Sequence, residues 1–182
     1  LGYHNNYYDI AQFRNEANIK PYDGLLRGSY IKKYLSEIKK YHFHDTGKSS
    51  PFTKESHIVN DMYYLYEKGE NIAAFLYAIR QNEPVVYKRI VRVIQSIAPY
   101  FSDFYFNVSA ADTVRLQWTD KFCSTIYGPT DLSDGTIRFI ALTTLFLQPV
   151  PPKVIIIDEP ELGLHPLAIQ KLAGMIKSAA AK

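Results

Sequence analysis

Val154-Ile155-Ile156-Ile157-Asp158-Glu159-Pro160 is the stretch that decides the fold class. Four successive β-branched apolar residues are too few for a helix. They read as a strand buried on both faces, as in a parallel sheet. Upstream, Ile137, Ile140, Ala141, Leu145 and Phe146 recur at helical spacing from a start near Ser133, and Pro149, Pro151 and Pro152 end that helix. Downstream, Pro166 opens a second amphipathic helix. Helix, buried strand, helix is an α/β unit.

The strand ends in two adjacent carboxylates, Asp158 and Glu159. Ligands of open α/β sheets bind outside the carboxyl ends of the strands, and paired acids there are costly without a positive partner. A hydrated Mg²⁺ suits them, because it is held by one or two carboxylates plus phosphate oxygens. Asp158 then faces the metal, and Glu159 can orient or deprotonate a water. The plain alternative is a strand end capped by two solvated acids. Leu132-Ser133-Asp134-Gly135-Thr136 lies about 25 residues earlier and runs straight into its helix. A serine and a glycine at a helix N-terminus offer a hydroxyl, open amides and positive dipole potential to a phosphate. Alone, that segment reads as an ordinary N-cap with Ser133 capping. Paired with the carboxylates at this spacing, it reads as part of a nucleotide site.

Leu132-Ser133-Asp134-Gly135-Thr136-Ile137-Arg138 resembles the signature motif of ABC-type ATPases. Ile155 to Pro166, with Asp158-Glu159-Pro160-Glu161-Leu162-Gly163-Leu164-His165 inside it, resembles their Walker B strand and D-loop. The variant is similar to that of bacterial predicted AAA/ABC-type ATPases with RecF- and SMC-like heads. Tyr41-His42-Phe43-His44-Asp45-Thr46 and Asn71 to Tyr77 resemble the same group, so the similarity covers most of 38–178. The resemblance implies an α/β fold, part of a P-loop NTPase head with a parallel-sheet core and a helical plus antiparallel β insertion. It implies ATP and Mg²⁺ as cofactors and a homodimer in the nucleotide-bound state. Ser133 and Gly135, with Asp134 and Thr136 beside them, would meet the γ-phosphate in trans. Asp158 would hold Mg²⁺ through water, and Glu159 would be the general base. His165, in the D-loop, would cross the dimer interface. Asp134 and Thr136 depart from the commonest signature, and Asp134 is expected to cap the helix or to pair with Arg138 at i to i+4.

A complete site also needs a G-x-x-x-x-G-K-[ST] loop. Gly47-Lys48-Ser49 is a poor match, because His42 stands where the first glycine belongs and Pro51 follows where a helix should start. The resemblance places that loop upstream of Leu1 and a switch histidine beyond Lys182. The chain is therefore expected to be a piece of a larger ATPase that binds ATP poorly by itself and hydrolyses none. The parent is expected to act on DNA or an effector protein. The rivals are a non-catalytic partner module and an ATPase-gated nuclease whose nuclease follows Lys182.

Around this core, the chain divides into a tail of an upstream segment (1–28), a helical and antiparallel insertion (29–127) and the ATPase core (128–182). In the insertion, a helix is expected from Ser29 with Tyr34, Leu35, Ile38 and Tyr41 on one face, then a short strand over Tyr41–His44 and a loop over 45–56. Asn71 is expected to cap a helix and Pro84 to open the next. Asp103–Val108, Thr113–Trp118 and Phe122–Tyr127 read as a meander. His42 and His44 would share a strand face and could bind a metal, but no third ligand stands out and a structural role is expected.

The composition agrees with an ordinary globular chain. Of 182 residues, 47% are hydrophobic and 21% charged, with a net charge of +3, too mild to argue for nucleic-acid binding. The one cysteine, Cys123, can make no internal disulfide and is expected to be a buried thiol. No apolar run is long enough to span a membrane and no leader pattern is visible, so a cytoplasmic setting is expected. The 15 tyrosines and 10 phenylalanines are expected to serve packing.

Overall fold

A computed structural model of the chain describes residue 31 and residues 33–181. The expected tail over 1–28 and the expected helix start at Ser29 lie outside the described residues. Lys40–Pro151 and Ile155–Lys182 form one compact unit; the remaining described residues, up to Lys39 and at Pro152–Val154, belong to another. In that smaller unit, Glu37 C=O accepts the Val154 N–H at 3.3 Å, and the Lys153 ammonium pairs with the Glu37 carboxylate at 2.8 Å.

Strand β1 is Ile38–Tyr41 and pairs with the strand Val154–Ile157. This corrects the reading of 29–41 as one helix followed by a strand over Tyr41–His44. The helical residues stop at Ser36, and 42–46 have no regular structure. Ile38 and Tyr41, three apart, continue the helical spacing, but in the strand they lie on opposite faces, Ile38 exposed and Tyr41 buried. Backbone pairing with a distant strand settles the choice, because every buried amide must find a partner.

In the larger unit four helices supply most of the core: α1 (Ile72–Asn82), α2 (Pro84–Gln95), α3 (Asp134–Leu147) and α4 (Pro166–Ala180). Pro84 occupies the first position of α2, where its missing N–H costs nothing. Asn71 stands at the N-cap of α1 but makes no capping bond. Its buried amide instead accepts from Tyr66 N–H and donates to the carbonyls of Asp61 and Tyr64, fastening the preceding loop. Helix α3 packs against α2 and α4, and its residues from Thr136 to Leu145 are buried apart from Arg138. No helix among the described residues is long and apolar enough to cross a membrane.

Strands β3 (Phe101–Tyr105), β5 (Gln117–Asp120) and β6 (Ile126–Tyr127) form an antiparallel sheet in that order. The expected meander is thus present in part. Its middle run splits: β4 (Thr113–Val114) turns away and pairs antiparallel with β2 (Ser56–His57). Cross-strand aromatics hold the sheet. Trp118 stacks between Phe101 (5.8 Å) and Tyr127 (4.8 Å), and its indole N–H donates to Gly128 C=O at 2.9 Å. Among the described residues the expectation holds in part: Tyr41, Phe52, Phe101, Phe104 and Trp118 are packed, whereas Tyr63, Tyr64 and Phe122 are exposed. Cys123 is exposed, not buried, because its run pairs only at Ile126–Tyr127.

Strand β7 (Val154–Ile157) also departs from expectation. Val154 and Ile156 are 45% and 48% exposed, while Ile155 and Ile157 are half-buried. The run is continuous and apolar, yet among the described residues its sheet has two strands, so one face is uncovered.

Two buried phenols make stability sensitive to alkali. Burial pushes the Tyr41 hydroxyl up to about 12, with the charge of Glu67 adding to it. Tyr87 is raised further, by burial first and then by its 2.6 Å hydrogen bond to the Asp103 carboxylate. In the unfolded chain both ionise near pH ~10. The folded state then holds the more protons, so this contribution is intact below pH ~10 and is lost as the pH rises through about 12. The urea midpoint is expected to fall between pH ~9.5 and ~11.5. A midpoint constant over that range would mean that both phenols ionise as freely in the native state.

Candidate functional site

Gly128, Pro129 and Asp131 turn the chain into α3. The 3-10 turn Pro129–Asp131 is closed by Gly128 N–H donating to the Asp131 carboxylate at 2.8 Å. Ser133 has extended backbone and caps the helix, its Oγ accepting the Thr136 N–H at 3.2 Å. The hydroxyls of Ser133 and Thr136 also lie 2.8 Å apart. That geometry leaves the first two helical amides, of Asp134 and Gly135, open at the positive end of the helix dipole. Ser133 and Asp134 are exposed.

Asp134 does not pair with Arg138. Its carboxylate accepts the Thr46 hydroxyl at 2.8 Å. Arg138 spends its guanidinium on two carbonyls, Nη1 donating to Leu162 C=O and Nη2 to His44 C=O, both at 2.8 Å. The planar fork of arginine suits two separate acceptors.

At the other end of the site β7 delivers Asp158 and Glu159, both exposed. His44 donates from Nε2 to the Asp158 carbonyl at 3.2 Å, which sets the tautomer with the proton on Nε2. Glu159 takes a left-handed backbone, φ 41°. Such a conformation is uncommon for a residue with a side chain and concentrates at functional positions. The loop then folds back on itself, Leu162 N–H donating to Glu159 C=O at 3.1 Å and Leu164 N–H to Glu161 C=O at 3.0 Å. Gly163, at φ 74°, completes the turn. His165 caps α4, its Nδ1 accepting the Leu167 N–H at 3.3 Å.

The two segments meet at glycines. A Cβ on Gly135 would overlap the Gly163 carbonyl oxygen, so only glycine lets the start of α3 lie against this loop. Of the residues singled out in the sequence, Ser133, Asp134, Gly135 and Thr136 thus share a helix start that abuts the loop following Asp158 and Glu159. His165 is exposed and, among the described residues, has no hydrogen bond to either acid. Gly47 to Ser50 is a turn closed by Ser50 N–H to Gly47 C=O at 2.9 Å, followed by the single 3-10 turn Pro51–Thr53 rather than a helix. It has no helix N-terminus to offer a phosphate. The rings of His42 and His44 lie 4.3 Å apart.

Among the described residues no three His, Cys, Asp or Glu side chains converge on a point that could hold a metal. One exposed strand-end aspartate with a glutamate beside it is a sparse donor set. It fits a hydrated Mg²⁺ that takes most of its oxygens from water and phosphates.

A family model described as "AAA domain, putative AbiEii toxin, Type IV TA system" matches residues 57–182. The chain belongs to this AAA-domain family. The match runs from β2 through α4 and includes both halves of the site. It identifies a P-loop NTPase-type domain, which points to nucleotide binding and ATPase activity with ATP and Mg²⁺. No curated protein and no solved structure matches the chain.

Sequence reasoning missed the residues that hold this AAA-domain site together. The sequence offers Arg138 only as one of two alternatives for Asp134, gives His44 a structural role on a strand, and gives Thr46 no role of its own. The available signal was weak: a histidine, an aspartate and a threonine in a short irregular segment carry no period.

Proposed function

We propose that this AAA domain belongs to an ABC-type ATPase head that hydrolyses ATP at the interface between two copies of the protein. Nucleotide-driven closure of the pair would then act on DNA or on an effector protein. The observation that carries this reading is the seating of the α3 start against the loop after Glu159, which makes one exposed surface of the two motifs. A second copy facing that surface would present its bound nucleotide to Ser133, Gly135 and the open amides beside them. Asp134 and Thr136 shape that helix start, and His165, exposed at the start of α4, lies on the loop that borders it.

In the chain's own site, Asp158 would hold Mg²⁺ through water, and the ion when bound supplies neutralising charge to the phosphates. Glu159 accepts the proton of the attacking water. The exposed position of both acids, at the carboxyl end of β7, is what such work requires. Catalysis of this kind is mainly positioning and charge stabilisation.

Ser133→Arg tests the reading. It puts a long cation where the partner's nucleotide would sit and removes a cap that contributes about 1 kcal/mol. In the intact protein the expected result is unchanged ATP binding by the monomer with ATP-dependent dimerisation lost, as read by sedimentation. Dimerisation at the wild-type affinity would overturn the in-trans role and favour a non-catalytic docking module.

A further inference from the structure

Asp158 and Glu159 are each held through the backbone, and both holds lead to Arg138. The Asp158 carbonyl is held by His44 Nε2 at 3.2 Å, and the His44 carbonyl in turn accepts Arg138 Nη2 at 2.8 Å. The Glu159 carbonyl is held by Leu162 N–H at 3.1 Å, and the Leu162 carbonyl accepts Arg138 Nη1 at 2.8 Å. Arg138 itself rises from the second turn of α3, whose first turn carries Ser133 and Gly135. A small cleft lined by His44, Arg138, Leu142, Ile157, Asp158 and Glu159 lies among these groups.

The arrangement has a cost. The Arg138 Nε is buried and has no hydrogen-bond partner among the described residues. A buried N–H on a charged group that finds no partner is destabilising. Plain packing between helix and loop would be met more cheaply by an apolar side chain. Gly163 leaves room for the guanidinium: a Cβ there would lie 2.9 Å from Nη1.

We infer that Arg138 is a positioning residue that ties the phosphate-facing start of α3 to the backbones of Asp158 and Glu159 in the same chain. The inference rests on the proposed ATPase reading and deepens it by naming the residue that places the two acids. Arg138 touches no reacting atom. Its loss should misplace the acids without removing a group that binds nucleotide.

The test is a double-mutant cycle in the intact protein with Arg138→Ala and His44→Ala, ATP hydrolysis and ATP affinity being measured for each. Arg138→Ala is expected to lower kcat by about 10- to 100-fold, the size that a misplacement of about 1 Å produces, while KM and the ATP affinity stay within about twofold. His44→Ala is expected to give a smaller loss of the same kind. The double variant should be no worse than about twofold below Arg138→Ala, because both act along one chain of contacts. If Arg138→Ala does not fold, Arg138→Lys replaces it in the same cycle; one ammonium cannot bridge both carbonyls, so a loss of kcat at constant KM is again expected. Unchanged kcat, a loss confined to ATP affinity, or losses that multiply in the double variant would each overturn the inference. Glu159→Gln separates the two levels. If it is inactive while the Arg138 variants turn over normally, only the role of Arg138 fails; if it turns over normally, Glu159 is not the base and the inference fails with that assignment; if the wild-type protein hydrolyses no ATP, the ATPase reading fails and this inference with it.

Discussion

Glu159→Gln in the intact protein is expected to bind ATP as well as wild type, to lose turnover by about 10²- to 10⁴-fold, and to accumulate as an ATP-bound dimer. The size is that of removing one positioned general base. Gln keeps the length and shape of the side chain and loses only the proton acceptor. The left-handed backbone at this position is equally unfavourable for both residues, so stability should change little. Glu159 is exposed and, among the described residues, its carboxylate makes no hydrogen bond or ion pair that the amide would break. Single-turnover phosphate release gives the rate, and size-exclusion chromatography with ATP gives the dimer. Hydrolysis at the normal rate would remove Glu159 from the mechanism. A variant that fails to bind ATP would mean that the carboxylate holds the nucleotide complex rather than the water.

Gly135→Ala is expected to lower Tm by about 2–12 °C and to abolish ATP-dependent dimerisation. The added methyl runs into the Gly163 carbonyl oxygen and lies 3.3 Å from its carbonyl carbon, so backbone must move against backbone. Overpacking of that kind costs about 1–3 kcal/mol, and each kcal/mol shifts Tm by about 2–4 °C in a chain of this size. The loop cannot simply retreat. Gly163 is itself at φ 74°, close to the Arg138 guanidinium, and the Leu162 carbonyl is held by that same guanidinium. Gly174→Ala is the control. A Cβ there meets nothing within 4 Å, and α4 gains up to about 1 kcal/mol of helix propensity. A Gly135→Ala protein as stable as wild type, and dimerising normally, would show that the start of α3 does not need to lie against the loop.

The local parts of the site could be read from neighbouring residues. Ser133 before a helical period, Pro84 and Pro166 at first turns, and the β-branched run ending at Asp158 each carry their signal within a few positions. Capping, proline geometry and strand preference act over that range. Strand β1 is hidden in the sequence because the Ile38 to Tyr41 spacing continues the helical pattern before it, and only pairing with β7 makes these residues a strand. The split of the middle strand was hidden for a similar reason: Thr113 and Val114 answer to Ser56 and His57, more than fifty residues away.

The sequence by itself determined that α3 starts at a capped serine and that a short strand presents two acids. Those are properties of adjacent backbone and side-chain groups. The tertiary structure alone decided where Arg138 goes, that Gly135 needs to be glycine, and that one face of β7 is uncovered. Arg138 could have met Asp134 four residues away at no cost in chain entropy. Two carbonyls from distant segments won because packing of α3 against the 162–164 loop brings both within reach of one planar fork, and an exposed ion pair with Asp134 would return little.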